Sequence, residues 1–435
     1  MAARSLASEK EPGERRRLWQ FARARGVTRR RFLQLLTAGG TAAVLASCTG
    51  LQLLTVTAPA AEEVAAEAAL HYKDAALFVD HGDGNLEARL ENMQGVITPV
   101  QSFFVRNNSA SLDVDAAAWR LSVEGDAVTN RLELSYEDIL NLPSRTFISY
   151  LECAGNHRAM FDLVKGQAAS GTPWKTGAVS NGAWTGAPLR DVLVQAGITE
   201  EAVSVLLIGL DTGSPEKGFR RVMPVEKAMD PDTLLAYALN GETLPSDHGF
   251  PVRALAPGWV GAASIKWLGR IVVSSEPLWT RNNTTSYTLI GDAYPREGEA
   301  LGKPVTTQSI KSALALPWPA DLAVGAQHIY GYAQSPNGPI AKVEWSLDSG
   351  ATWYGSTLVE PQSDPALEGF LEAGSEGAFR YSWTRFGFRW EAQPGEYTIM
   401  TRATDAAGNT QPDEIPFNEK GYLFNQPAPH PIRVA

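Results

Sequence analysis

The segment Tyr150–Phe161 reads YLECAGNHRAMF, an apolar run closed by Cys153 and followed by a small-residue turn that carries His157 and Arg158. A cysteine in that setting has three roles open to it: a disulfide, inert core packing, or ligation of a metal by the thiolate. The 435-residue chain has two cysteines. The other, Cys48, falls in a stretch that reads as a targeting signal, so the folded body keeps one thiol and an internal disulfide is excluded. Ala154 and Gly155 let a bulky group approach the backbone, and Arg158 places a cation near the sulfur, which favours the thiolate. On these residues alone, packing and ligation both remain open.

Two further patterns could do chemistry. Leu210-Asp211-Thr212-Gly213-Ser214 and Leu347-Asp348-Ser349-Gly350-Ala351 imitate the paired motifs of an aspartic protease, in which two carboxyl groups share a proton. The second copy ends in Ala, and its Asp-Ser-Gly suits a hairpin turn, while the first copy suits a β-turn. The six histidines show neither an HExxH spacing nor clustered cysteines, which argues against zinc. No GxGxxG or Walker loop occurs.

Charge narrows the partners. The chain carries 38 basic and 48 acidic residues, a net of −10, but residues 1–47 hold ten basic against three acidic. The remainder therefore has 28 basic and 45 acidic residues, a net of −17. Such a body repels nucleic acid and favours a basic protein partner. Length predicts two or three domains.

Residues 1–60 read as an address. Thr28-Arg29-Arg30-Arg31-Phe32-Leu33-Gln34, ahead of a weakly apolar Gly/Ala stretch, resembles a twin-arginine export signal, with Gln where Lys is common. Leu45-Ala46-Ser47-Cys48 resembles a lipobox, which predicts a lipid anchor at Cys48; cleavage after Ala58-Pro59-Ala60 and an uncleaved anchor are the alternatives. The expected location is the periplasm or the outer face of the cytoplasmic membrane. No later run approaches the ~18 apolar residues that span a bilayer.

The elements that must position Cys153 follow from patterning. From about residue 75 to 300, short strands and Gly/Pro turns mix with helical patches, an α+β pattern without regular βαβ alternation. Ser135 followed by Asp138 caps a helix that Pro143 stops, and apolar residues at 189, 192, 193 and 196 make a second, ended by Gly197. After residue 303 the segments IAKVEWSLDSGATWYGSTL and GEYTIMTRATDAAGNTQP alternate strand residues around polar turns, which predicts an immunoglobulin-like β-sandwich over 303–425.

At this point several motifs in order, FFVRN (103–107), YLECAGNHR (150–158), VKG…W…GAVSNGAWTGAPLRDVL (164–193) and LLAYALNGETLPSDHGFPVRALAPGWVGAASIKWLGRI (234–271), resemble the sulfite oxidase family of molybdopterin-dependent oxidoreductases. The resemblance covers about 75–425. It implies a molybdopterin-binding domain over 75–300 and a dimerisation sandwich that makes a homodimer. It also implies a molybdenum-molybdopterin cofactor ligated by Cys153, and oxidation of sulfite to sulfate by oxygen-atom transfer. Arg106, Arg158, Trp174 and Tyr287 match the pocket for a small oxyanion; Asn107, His248, Arg253 and Lys266, with Arg106, match residues that hold the pterin and its phosphate. Arginine forks suit oxyanions through paired hydrogen bonds. No CxxCH haem motif occurs, so an external acceptor is implied, a basic c-type cytochrome by the charge of the body. The pattern departs at Asn108, where His is common, at His157, and at the C-terminal substrate arginine, for which Lys420 is the nearest counterpart. Within the family a sulfane-sulfur dehydrogenase, a nitrate reductase and a sulfoxide reductase are alternatives. Outside it stand the protease and a non-enzymatic extracytoplasmic binding protein.

Overall fold

The computed structural model describes residues 73–364, 367 and 377–435. The export-signal-like and lipobox-like segments, Cys48 included, lie outside the described residues. No helix among the described residues is long and apolar enough to cross a membrane.

Two five-stranded sheets build the first domain. In one, strand Arg145–Glu152 pairs antiparallel with Val179–Pro188, which pairs with Leu234–Leu239; that strand also pairs with Glu242–Thr243 and Arg253–Leu255. Val179–Pro188 and Leu234–Leu239 are buried along their whole length, because both faces of this sheet are covered. The other sheet runs in the order 132–135, 120–125, 268–274, 204–209, 220–224, with Leu268–Ser274 parallel to Arg120–Gly125 and the remaining pairs antiparallel. Short helices close the layers. Helix Tyr136–Asn141 starts at a capping box in which the Ser135 side chain and Asp138 satisfy each other's backbone N–H. Helix Leu189–Gln195 buries Leu189, Val192 and Leu193 and ends before Gly197, whose φ of 68° is the left-handed conformation glycine supplies cheaply. Both helices sit where the spacing predicts.

The second domain is all β. A four-stranded sheet (311–314, 325–334, 384–392, 357–359) faces a five-stranded one (320–322, 430–434, 395–405, 340–346, 354–355) across a core that includes Ile329, Val343, Phe386, Ile399 and Ile432. Alternation along Thr384–Ala392 and His430–Val434 turns one set of side chains inward and the other to solvent. The protein is thus an α+β domain followed by a β-sandwich.

The two domains share a core. Trp383 and Tyr332 of the sandwich stack at 4.2 Å between centroids and join the apolar cluster of Phe103, Tyr150, Trp174 and Trp184. The Trp383 indole N–H donates to the Val96 carbonyl at 2.7 Å. Segment 378–381 lies along the free edge of strand Arg145–Glu152: Ile148 N donates to Ala378 O and Tyr150 N to Tyr381 O. That pairing covers an edge that would otherwise expose backbone donors.

Glu152, the last residue of that strand, is fully buried. Its carboxylate pairs with the buried ammonium of Lys311 and accepts from Asn156 Nδ2 at 3.0 Å and Gln334 Nε2 at 3.3 Å. Its carbonyl accepts from Gln308 Nε2 at 2.8 Å. Three sandwich residues therefore grip one residue of the first domain. Removing one partner of a buried pair strands the other charge, so Lys311→Met is expected to cost about 3–5 kcal/mol in denaturant unfolding, while the double variant Lys311→Met/Glu152→Gln recovers most of the loss. Equal instability of single and double variants would refute the pairing as the source of the cost.

Candidate active site

Strand Arg145–Glu152 delivers Cys153 to the wall of a cavity that is open to solvent on one side. The sulfur-bearing residue is held at both ends of its peptide: Cys153 N donates to Ala178 O at 2.9 Å, and its carbonyl accepts from Asn156 N at 3.0 Å. Asn156 adds a clamp, its Oδ1 accepting from Ala178 N and its Nδ2 donating to Glu152. The turn then passes through His157, which takes a φ of 70°, a costly value for a residue with a Cβ. Cys153 is the one free cysteine among the described residues and is buried.

The cavity collects residues from distant parts of the chain. Arg106, Asn107, Cys153, His248, Arg253, Lys266 and Tyr287 all line it. Arg106 is half-buried; its Nη1 donates to Asn85 Oδ1 at 3.2 Å and its Nη2 to Asn108 Oδ1 at 3.0 Å, which fixes the plane of the fork. The same three residues, Arg106 to Asn108, also line a neighbouring cleft with Asp83, Thr172 and Asp247. Lys266 Nζ donates to Asn107 Oδ1 and to the Asp247 carbonyl. Burial, with Arg253 beside it, holds the Lys266 ammonium well below its ordinary range.

His248 is fully buried and shares a hydrogen bond of 2.9 Å between its Nε2 and the Lys73 ammonium. An ammonium can only donate, so Nε2 is the acceptor and Nδ1 carries the ring proton. Burial and the cations Lys73, Lys266 and Arg253 keep the ring neutral, its value far below the usual one. Lys73 also donates to the carbonyls of Val100 and Phe103 at 2.6 and 2.9 Å. Each nitrogen of Arg253 already serves a carbonyl, of His248, Ser264 or Ala254, so it contributes charge and loop shape. Against these cations stands Asp247, whose two carboxylate oxygens are buried without a hydrogen-bond donor; Lys73 Nζ is 3.8 Å away. A second carboxyl, Asp211, accepts from Phe219 N at 2.7 Å, and burial raises its pKa.

Arg158 and Trp174 do not line the cavity. Arg158 is buried, with Nε on the Lys420 carbonyl at 2.7 Å and Nη1 on the Thr172 carbonyl at 2.6 Å. Its side chain lies in a cradle of glycines: a Cβ on Gly155, Gly171 or Gly421 would stand 2.4, 2.8 or 2.5 Å from it. Lys420 thus meets the site through its backbone. Trp174 is fully buried, its ring 4.9 Å from His81 and its indole N–H without an acceptor. Sequence reasoning missed Lys73, Asn85, Asp211 and Asp247 as lining or supporting groups. Asp247 lies inside the quoted DHGFPVR stretch and Asp211 inside the protease-like motif, whereas Lys73 has no local signal. Asp348, the other half of that motif, sits in the sandwich hairpin, bonded to Ser346 Oγ and Thr352 N, so no carboxyl dyad forms.

The model of the oxidoreductase molybdopterin binding domain matches residues 108–281, and that of the Mo-co oxidoreductase dimerisation domain matches 303–428. Mitochondrial sulfite oxidase of Mus musculus is 34% identical over 346 residues, covering 76% of this chain and 60% of that protein. Sulfite oxidase of Gallus gallus is 33% identical over 341 residues, covering 75% and 71%. The NADH nitrate reductase of Solanum lycopersicum is 33% identical over 356 residues, covering 76% and 38%. The sulfane dehydrogenase SoxCD from Paracoccus pantotrophus superposes with a TM-score of 0.68 at 24% identity, over 90% of this chain and 98% of that one, a likeness of fold. Fold and site define a molybdopterin-binding oxidoreductase. The chain belongs to the sulfite oxidase family, and molybdenum-molybdopterin is its cofactor. The aspartic protease and binding-protein readings fall with that membership. The chain spans about 60% of the length of the mammalian relatives it matches.

The depressed lysine yields a test of sign. Burial lowers Lys73 to about 8 from an ordinary 10.5. Between those values the unfolded chain holds more protons, so stability rises with pH. Wild type is therefore expected to gain up to about 3 kcal/mol on Lys73→Met between pH 8 and 10.5, read by urea unfolding. A constant difference across that window would show Lys73 unperturbed.

Proposed function

We propose that this protein oxidises sulfite to sulfate by oxygen-atom transfer and passes the electrons to an external, basic c-type cytochrome. The observation that carries the reading is the single described thiol, Cys153, on the wall of a cavity that also presents Arg106, Arg253 and Lys266. The residues fit the cofactor. Asp247, on the neighbouring cleft, offers two buried carboxylate oxygens without a hydrogen-bond donor to the N–H edge of a pterin, while Lys266 and neutral His248 offer N–H donors, and Arg253 positive charge, to its phosphate. Cys153 supplies the soft thiolate for molybdenum. When bound, the cofactor supplies a two-electron store and the oxygen atom that is transferred.

The chain's own residues do the rest. Arg106, fixed by Asn85 and Asn108, receives the oxyanion and orients it with a planar fork. Tyr287, also on the wall, can donate its phenol to the same oxygen atoms, and its hydroxyl already meets Asn108 Nδ2 at 3.5 Å. Arg158 and Trp174 support that wall from behind. The C-terminal domain makes a homodimer. The leader exports the protein by the twin-arginine route, and Cys48 carries a lipid anchor on the outer face of the membrane.

The deciding assay is sulfite oxidation with cytochrome c or ferricyanide on protein shown to contain molybdenum, run beside sulfane-sulfur, nitrate and sulfoxide substrates. About one molybdenum per chain and turnover of sulfite support the reading; preference for another substrate moves it to that sibling activity. Changes outside the ligand set of a metal site cost about 10–100-fold, so Cys153→Ser is expected to lose more than that. Arg106→Met, which removes a charge-assisted contact, is expected to raise KM for sulfite about 10- to 100-fold with a smaller effect on kcat. A Cys153→Ser variant as active as its parent would end the proposal. The net of −17 after residue 47 predicts that electron transfer to a basic cytochrome slows as ionic strength rises. A rate independent of salt would remove the steering.

A further inference from the structure

Arg221 is fully buried on strand Arg220–Pro224, outside the lining of the cavity, and nothing in the reading above uses it. Its Nη1 donates to the Asn282 carbonyl and its Nη2 to the Val305 carbonyl, and its Nε is buried without an acceptor. No carboxylate pairs with it among the described residues. A buried guanidinium with only carbonyl partners is an expensive residue, and it leaves its positive charge uncompensated.

The group it faces is on the cavity wall. The guanidinium carbon lies 5.7 Å from the centroid of the Tyr287 ring. Tyr287 in turn stacks on Tyr422 at 5.4 Å with 13° between planes, and Arg158 lies 5.3 Å from the Tyr422 ring. Arg158, Tyr422, Tyr287 and Arg221 thus follow one another as cation, ring, ring, cation, and neither arginine has an acidic partner among the described residues. The backbone is tied in as well: Val305 accepts from Arg221 through its carbonyl and donates through its N–H to the Tyr287 carbonyl at 2.8 Å. Tyr287 holds a left-handed φ of 49°, a strained value that such a bracket sustains. Burial lowers Arg221 to about 10, so it stays charged at neutral pH.

We propose that Arg221 is a specificity-determining residue that adds an uncompensated positive charge behind Tyr287 and thereby biases the cavity toward doubly charged oxyanions. The inference rests on the reading of the cavity as an oxyanion site. Its physical content is a ratio. A fixed charge acts on a dianion with twice the energy it exerts on a monoanion, so removing it weakens the dianion by the square of the factor for the monoanion. Loosening Tyr287 without a charge effect would weaken both alike.

The test is calorimetric binding of sulfate and of nitrate to the molybdenum-loaded protein at low ionic strength and neutral pH. Arg221→Gln, which keeps an amide donor and loses the charge, is expected to weaken sulfate about tenfold and nitrate about threefold. Arg221→Lys, which keeps the charge, is expected to hold the parental sulfate-to-nitrate ratio. Equal losses for the two anions in the Gln variant, no loss, or an altered ratio in the Lys variant would overturn the proposal. So would a Gln variant that fails to fold by near-ultraviolet circular dichroism, since the side chain would then be a requirement of the fold. Molybdenum content and the Cys153→Ser result are read on separate samples. A loaded, Cys153-dependent enzyme with an unchanged anion ratio therefore sinks this inference alone, and a protein without molybdenum sinks the functional reading alone.

Discussion

The buried ion pair between Glu152 and Lys311 lies one residue from Cys153 and joins the two domains at the point where the thiol leaves its strand. Desolvating both charges is costly, and the pair is sustained because Asn156 and Gln334 complete the carboxylate's hydrogen bonds. Asn156 also clamps the turn that follows the cysteine, through Ala178. The same few atoms therefore close the core shared by the sandwich and the first domain and fix the backbone that carries the thiol. The sandwich is in this respect a part of the site's scaffold as well as a candidate surface for a second subunit.

The cavity is built against its own electrostatics. Lys73, Lys266 and Arg253 crowd around neutral His248, with Arg106 at the rim and the carboxyl groups of Asp247 and Asp211 nearby. Apart from the Lys73–Asp247 ion pair at 3.8 Å, these cations have no carboxylate partner among the described residues and rely on carbonyl and amide oxygens, which is tolerable only in a framework too rigid to relax away from them. Such an arrangement gains stability when an anionic group enters. That demand agrees with a phosphate-bearing cofactor, and with the oxyanion substrate proposed above, in neighbouring clefts that meet at Arg106. Arg158 reaches its place because three glycines stand where any side chain would collide with it.

Much of the scaffold was legible in the chain. The Ser135–Asp138 cap, the helical spacing from Leu189 to Ala196 and the alternation of the sandwich strands act over a few residues, and the structure keeps all three. The Asp348 turn was equally local, its carboxylate held near pKa 2 by the Thr352 N–H and the Ser346 hydroxyl. Six site residues drawn from quoted motifs, together with Tyr287, line one cavity. Arg158 and Trp174 come from the same motifs yet sit behind it, because a motif fixes a residue's neighbours in sequence and leaves open which face of the packed chain it meets.

By itself the sequence determined that Cys153 is the one thiol after Cys48, the order of an α+β domain and a sandwich, and the acidic charge balance of the chain after residue 47. Those properties are set by composition and by periodicities of two and 3.6 residues, which need no knowledge of distant contacts. Tertiary structure alone decided that Lys73 would fix the tautomer of His248, that Lys311 would neutralise Glu152, and that Arg221 would stand behind Tyr287. Each of those contacts joins residues far apart in the chain, and each depends on burial, which turns an ordinary charged side chain into one whose partner must be found inside the fold.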